Sequence, residues 1–266
     1  MESNLNISSE IYDIPAVINI PDTNYGVFPA VILCHGTASQ KNEVGDLFVK
    51  LGDKMAEAGI ASIRFDFAGC GDSKADQTDL TFYGEVSDTE KVYEYLVGHE
   101  SIDSDRIGIV GFSQGARVMA EFLGGHTDSI KAAVSLSGAC HNGEGVFRGW
   151  FERYHDELEE NGYAEIPMGW REDLILSAKW FDDIKSSSPM EELKKYEGCI
   201  LAVSGTDDEL VPYRHVHEIL DACSKAEMRD LKIIKDADHI FNCLDAEKSK
   251  AEYVLDCVSS WMYRHI

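Results

Sequence analysis

The sequence predicts an α/β protein: a mainly parallel central sheet with helices on both faces and an inserted cap. Three observations predict it. Short apolar, β-branched runs alternate with segments of helical period along most of the 266 residues, the pattern of strands joined by helical crossovers. The runs are apolar at nearly every position, as in strands buried on both faces. The alternation stops between about residues 140 and 188, where aromatic side chains collect without a convincing strand.

Taken in order, AVILC (30–34) reads as a buried strand, followed by the loop HGTASQKNE. LFVKLGDKMAEAG (47–59) has helical spacing with a glycine stop, and IASIRFDF (60–67) is the next strand. FYGEVSDTEKVYEYLVGH (82–99) is an amphipathic helix, RIGIV (106–110) a strand, ARVMAEFLGG (116–125) a helix and KAAVSLSG (131–138) a strand. After the aromatic region come the strand CILAVSG (199–205), the helix HVHEILDACSKA (215–226), the strand LKIIKD (231–236) and a closing helix around 251–263. Residues 1–139 and 189–266 are therefore expected to form the core. Residues 140–188 are expected to be short helices and loops capping the sheet's carboxyl edge, with Trp150, Tyr154, Trp170 and Trp180 as candidates to line a substrate pocket.

Composition narrows the partners. There are 48 acidic against 24 basic side chains, a formal net charge of -24, which repels nucleic-acid phosphates and anionic lipid head groups. Neither nucleic acid nor membrane is expected as a partner. The seven cysteines form no CxxC pair, which fits reduced thiols better than a disulfide framework or a zinc site. No signal peptide and no stretch long enough to cross a bilayer is visible, so a cytoplasmic location is expected. A homodimer is compatible with the sequence, and neither cofactor nor metal is expected.

The chemistry starts at IGIVGFSQGARVMA, where Ser113 stands between Gly111 and Gly115, after a strand and before a helix. A G-x-S-x-G turn of this kind strains the central residue and lifts its hydroxyl clear of the sheet. Serine needs a base, and His239 follows a late strand in LKIIKDADHIF. His126 comes too early and His265 too late, while His215 and His217, two apart on one helix, make a poor metal pair. An acid must fix the imidazole's tautomer, and two aspartates in SGTDDELVPY compete for that role. Asp208, in a G-x-x-D-x-x-V-P arrangement, is preferred to Asp207, which suits a turn cap. Oxyanion donors are expected at the backbone N–H groups of Gln114 and Thr37, the latter in the H-G-T loop after the first core strand. His35 is expected to be structural.

H-G-T at 35–37, D-F-A-G-C-G-D-S at 66–73, G-F-S-Q-G at 111–115, G-T-D-D-E-L-V-P at 205–212 and D-A-D-H at 236–239 occur in the chain order of the α/β-hydrolase superfamily. The chain resembles that superfamily over nearly its whole length outside the cap. The resemblance implies a serine hydrolase with Ser113 as nucleophile, Asp208 as acid, His239 as base and Thr37 and Gln114 as oxyanion donors. The H-G-x loop, chain length and cap position are similar to bacterial cinnamoyl (feruloyl) esterases, whose cap holds the aromatic acyl group. A small-molecule ester is the implied substrate. An acyl-peptide hydrolase and a non-enzymatic small-molecule receptor are the alternatives. A dinucleotide fold is disfavoured because Lys74 stands where G-C-G would need its third glycine.

Overall fold

A computed structural model describes residues 1–9, 11–22, 26–169 and 171–266. Its centre is an eight-stranded sheet. The strands are β1 (Glu2–Ser8), β2 (Asp13–Asn19), β3 (Phe28–Cys34), β4 (Ala61–Phe65), β5 (Ile102–Phe112), β6 (Ile130–Leu136), β9 (Cys199–Gly205) and β10 (Met228–Ile234), in spatial order β1-β2-β4-β3-β5-β6-β9-β10. The pairs from β4 to β10 are parallel. β2 joins β4 antiparallel and carries β1 as an antiparallel hairpin at the edge. That hairpin extends the sheet beyond the predicted strands.

Burial on both faces explains the continuous apolar runs. In β3, Ala30, Ile32 and Cys34 pack into one layer while Val31 and Leu33 pack into the other. The second layer holds α1 (Leu47–Glu57) and the closing helix, α9 (Ala251–His265). Helix α1 contributes Leu47, Leu51 and Met55, spaced by whole helical turns. The first layer holds α2 (Phe82–Val97), α3 (Gln114–Leu123) and α8 (His215–Ala222). Thr81 caps α2 by accepting the N–H of Gly84.

Between β6 and β9 lie α4 (Arg148–Arg153), α5 (His155–Asn161), β7 (Tyr163–Ile166), β8 (Leu174–Ser177), α6 (Ala178–Ser186) and α7 (Pro189–Leu193). No strand is predicted in this stretch, yet β7 and β8 pair antiparallel. Each is only four residues long, too short for period-two alternation to register. The pair is fixed from outside as well: Ile166, Leu174 and Leu176 are buried, and the Ile175 N–H donates to Gln77 Oε1. Among the described residues, no helix is long and apolar enough to cross a membrane.

Candidate active site

From β3 the chain crosses to β4 on one side and later returns as β5 on the other. The loops leaving β3 and β5 therefore diverge, and a crevice opens at the strands' carboxyl ends. A cavity of about 1120 Å³ lies there, bounded by Gly36, Thr37, Ser113 and His239. A second cavity, about 650 Å³, lies beside the β1–β2 hairpin and borders none of the predicted site residues.

Ser113 links β5 to α3 with φ 52° and ψ -116°, a left-handed conformation that costs a non-glycine residue roughly 1–3 kcal/mol. Surrounding hydrogen bonds hold it there. Its N–H donates to Leu136 O, and its carbonyl accepts from Ala139 and Ala116. The glycine two residues on has a steric reason: a Cβ on Gly115 would stand 2.0 Å from Cys34 O. Only a residue without a side chain lets α3 begin directly against the end of β3.

His239 lies in the loop after β10 and Asp208 in the loop after β9. His239 Nε2 is 3.0 Å from Ser113 Oγ, and His239 Nδ1 is 2.8 Å from Asp208 Oδ2. Asp208 Oδ1 accepts the N–H groups of Leu210 and Val211, and the carboxylate is fully buried. With Oδ1 occupied by two donors, Oδ2 is free to take the imidazole N–H. Close approach of the two loops also depends on Gly205, where a Cβ would lie 2.0 Å from Ala237 O. The competing Asp207 is exposed and accepts from Thr206 Oγ1. Asp238 caps its own turn through the N–H groups of Ile240 and Asn242. The three side chains thus form one hydrogen-bonded path in which His239 can take a proton from Ser113.

The loop after β3 runs directly beside Ser113, since a Cβ on Gly36 would lie 3.4 Å from Ser113 Cβ. Thr37 borders the cavity. Gln114 opens α3, where the first N–H groups have no intrahelical acceptor and the helix dipole favours negative charge. His35 fixes this loop. Its Nδ1 bonds Gly36 O, its Nε2 accepts the Phe67 N–H, and burial pushes its pKa down to about 4. The D-F-A-G-C-G-D-S stretch acts as a brace: buried Asp66 accepts from the Lys41 N–H, Lys41 Nζ and the Asp72 N–H.

The aromatic candidates separate. Trp150 lines the cavity beside Phe147 and Met168. Trp180 and Tyr154 do not border it; both are buried, Trp180 in ring contact with Phe147, Trp150 and Phe181. They pack into the same apolar layer as Phe82 of α2 and Leu123 of α3 rather than into the cavity wall. Trp170 lies outside the described residues.

Three further side chains shape the site without any mark in the sequence. Glu43, buried at the cavity wall, accepts the N–H of Gly36 and the hydroxyl of Ser39. Burial raises its pKa. Ser137, after β6, donates to His239 O. Arg171 reaches from the inserted segment to Ala38 O at 2.7 Å and borders the cavity. Glu43 and Arg171 sit in polar loops, where only the tertiary contact distinguishes them from ordinary surface residues, and Ser137 is one small residue at the end of an apolar run.

Over 119 residues the chain is 32% identical to an uncharacterized 31.7 kDa Escherichia coli protein, covering 45% of this chain and 37% of that one. Over 192 residues it is 31% identical to an uncharacterized Mycobacterium tuberculosis protein, covering 72% and 57% respectively. The chain thus matches well under two thirds of the length of either relative. Est1E from Butyrivibrio proteoclasticus, solved with ferulic acid bound, has the same fold, with a TM-score of 0.80 and 22% identity over 98% of both chains. The model of the prolyl oligopeptidase family matches residues 74–266, from just after the brace loop through the serine turn to the last helix. This α/β-hydrolase-fold chain belongs to the prolyl oligopeptidase family.

Proposed function

We propose that the chain is a serine hydrolase of small carboxylic esters, acting through an acyl-enzyme, with 140–188 as its cap. The observation that carries this reading is the unbroken hydrogen-bonded path from Ser113 through His239 to Asp208 at the wall of a large cavity. His239 takes the proton of Ser113 as its oxygen attacks the ester carbonyl. Negative charge on the former carbonyl oxygen is stabilised by the N–H groups of Thr37 and Gln114. Each such donor is worth about 3–4 kcal/mol in a site of this kind. The alcohol leaves with the proton from His239, and water repeats the sequence to release the acid.

A small aromatic acyl group of the hydroxycinnamoyl type is the proposed preference. Phe147 and Trp150 offer flat apolar walls, and a structural neighbour of this fold was solved with ferulic acid bound. Family membership favours a second reading, cleavage of acyl peptides by the same residues.

The test has two parts. Ser113→Ala is expected to abolish turnover of a short activated ester and labelling by a fluorophosphonate while the circular dichroism stays native. Retained labelling of the variant would refute the assignment of Ser113. The intact chain is then offered methyl hydroxycinnamates, short aliphatic esters and aminoacyl anilides. Highest kcat/KM on the first supports the aromatic ester, and highest on the last supports the peptidase.

A further inference from the structure

His215 opens α8, and the residue facing it is His141, which ends the run leaving β6. The two imidazoles stack with centroids 3.5 Å apart and planes 4° from parallel. Glu218, one helical turn on, takes the Nδ1 side of His215 at 2.7 Å. We propose that His141, His215 and Glu218 bind a divalent transition-metal ion, Zn2+ by donor set, tying the start of α8 to the root of the inserted segment. This site is independent of the proposed hydrolytic chemistry.

Two observations carry the proposal. One potential ligand atom from each residue lies within 4.8 Å of the others, near enough for Zn–N and Zn–O bonds of about 2.0–2.2 Å once one of the stacked rings turns out of the stack. The pair also leaves buried polar atoms without partners. His215 Nε2 and His141 Nδ1 make no hydrogen bond among the described residues, and the His215 side chain is only 3% exposed. Buried polar atoms are nearly always satisfied. A simple structural role, with Glu218 orienting His215 in the first turn of α8, leaves His141 Nδ1 without a partner, and an ion on the Glu218 side of His215 would supply one.

The surroundings allow access. Glu218 is 54% exposed and opens the cluster to solvent. Parallel rings direct their lone pairs side by side, so the less buried His141 must tilt to converge on an ion. Arg117 and Arg214 act on the pair with the opposite sign to an approaching cation's needs. Arg117 keeps its charge, since its Nη2 donates only to the neutral acceptors Gly143 O, Ile184 O and Ser187 Oγ, and the net charge of -24 favours cations overall.

The test is titration of ZnCl2 into the EDTA-stripped, desalted and reduced full chain by isothermal calorimetry. One equivalent is expected to bind and to raise the thermal midpoint. His141→Ala and Glu218→Gln are each expected to weaken binding at least about tenfold and to remove the thermal shift. Both side chains are only partly buried, and circular dichroism verifies that the variants fold; if His141→Ala does not, Glu218→Gln decides alone. Because the chain has seven free cysteines, Co2+ absorption supplies the control: nitrogen and oxygen ligands give weak d–d bands only. No stoichiometric binding, unchanged affinity in the folded variants, or intense thiolate charge-transfer bands would overturn the proposal.

Discussion

Asp208→Asn tests the hydrogen-bonded path most directly, because the structure dictates which way the new amide must turn. Oδ1 of Asp208 accepts from Leu210 at 2.9 Å and from Val211 at 2.8 Å. An asparagine carbonyl must keep that position, since an NH2 there would face two backbone donors. The NH2 group then occupies the Oδ2 position, 2.8 Å from His239 Nδ1. An amide donor opposite an N–H donor is repulsive, so the imidazole shifts its proton to Nε2. In that tautomer it presents a hydrogen to Ser113 and cannot accept the hydroxyl proton. Loss of the negative charge also removes the partner of the imidazolium. A serine protease with the equivalent change loses about 10⁴ in kcat, or about 5.4 kcal/mol of barrier at 1.36 kcal/mol per decade, and a comparable loss is expected here. The assay is steady-state turnover of p-nitrophenyl acetate at neutral pH, with Asp207→Asn as the matched control. Asp207 is exposed, and among the described residues it hydrogen-bonds Thr206 and the Ala237 carbonyl, so its substitution is expected to change kcat less than about threefold, in line with surface substitutions. If Asp208→Asn keeps a tenth of wild-type activity, or if Asp207→Asn is the more damaging, the path through Asp208 is wrong.

Two further outcomes follow from burial and close contact. Gly115→Ala puts a methyl group 2.0 Å from Cys34 O. The clash is expected to cost about 3 kcal/mol or more against roughly 1 kcal/mol gained in helix propensity, and the net loss of about 2 kcal/mol or more is expected to lower Tm by at least about 4–8 °C. Gly125→Ala, with only an ordinary 3.7 Å contact, is the control in the same differential scanning experiment, and equal Tm values would refute the steric argument. Glu85 is buried beneath the serine turn, where its Oε2 accepts from Gln114 Nε2, and burial raises its pKa from 4.5 to about 8. The folded chain then holds a proton that the unfolded chain releases, so stability present below pH 4.5 is lost as pH rises towards 8. Glu85→Gln is expected to gain roughly 3–5 kcal/mol on wild type across that window, read by urea unfolding at pH 5 and pH 9. Parallel pH profiles would show that Glu85 ionises normally in the fold.

Much of this architecture is written in local residue order, and its gaps have physical causes. Strands β3, β5, β6 and β9 are apolar on both sides, so their burial is visible from AVILC or CILAVSG without knowledge of neighbours. Strand β1 is exposed at nearly every position and exists because β2 offers it a free edge, which no local pattern encodes. Ser113, Asp208 and His239 are legible because each follows a strand in a loop of distinctive composition. The aromatic side chains of 140–188 are not separable in this way. Trp150 and Trp180 are both large rings in short helices, and only packing places one at the cavity and the other in the apolar layer beside α2 and α3. Glu43 and Arg171 are invisible for a related reason. Their partners, Gly36 N–H and Ala38 O, are backbone atoms, and backbone atoms have no sequence signature.

The separation of the site's parts along the chain has a consequence for biosynthesis. His239 is 126 residues beyond the hydroxyl it contacts, so at about 5–20 residues per second a ribosome releases the serine roughly 6–25 s before the imidazole. Throughout that interval the nascent polypeptide carries an inert alcohol. Under the proposed function, reactivity arrives only when the outermost parallel strand has docked, so the onset of turnover would report completion of the sheet during synthesis or refolding.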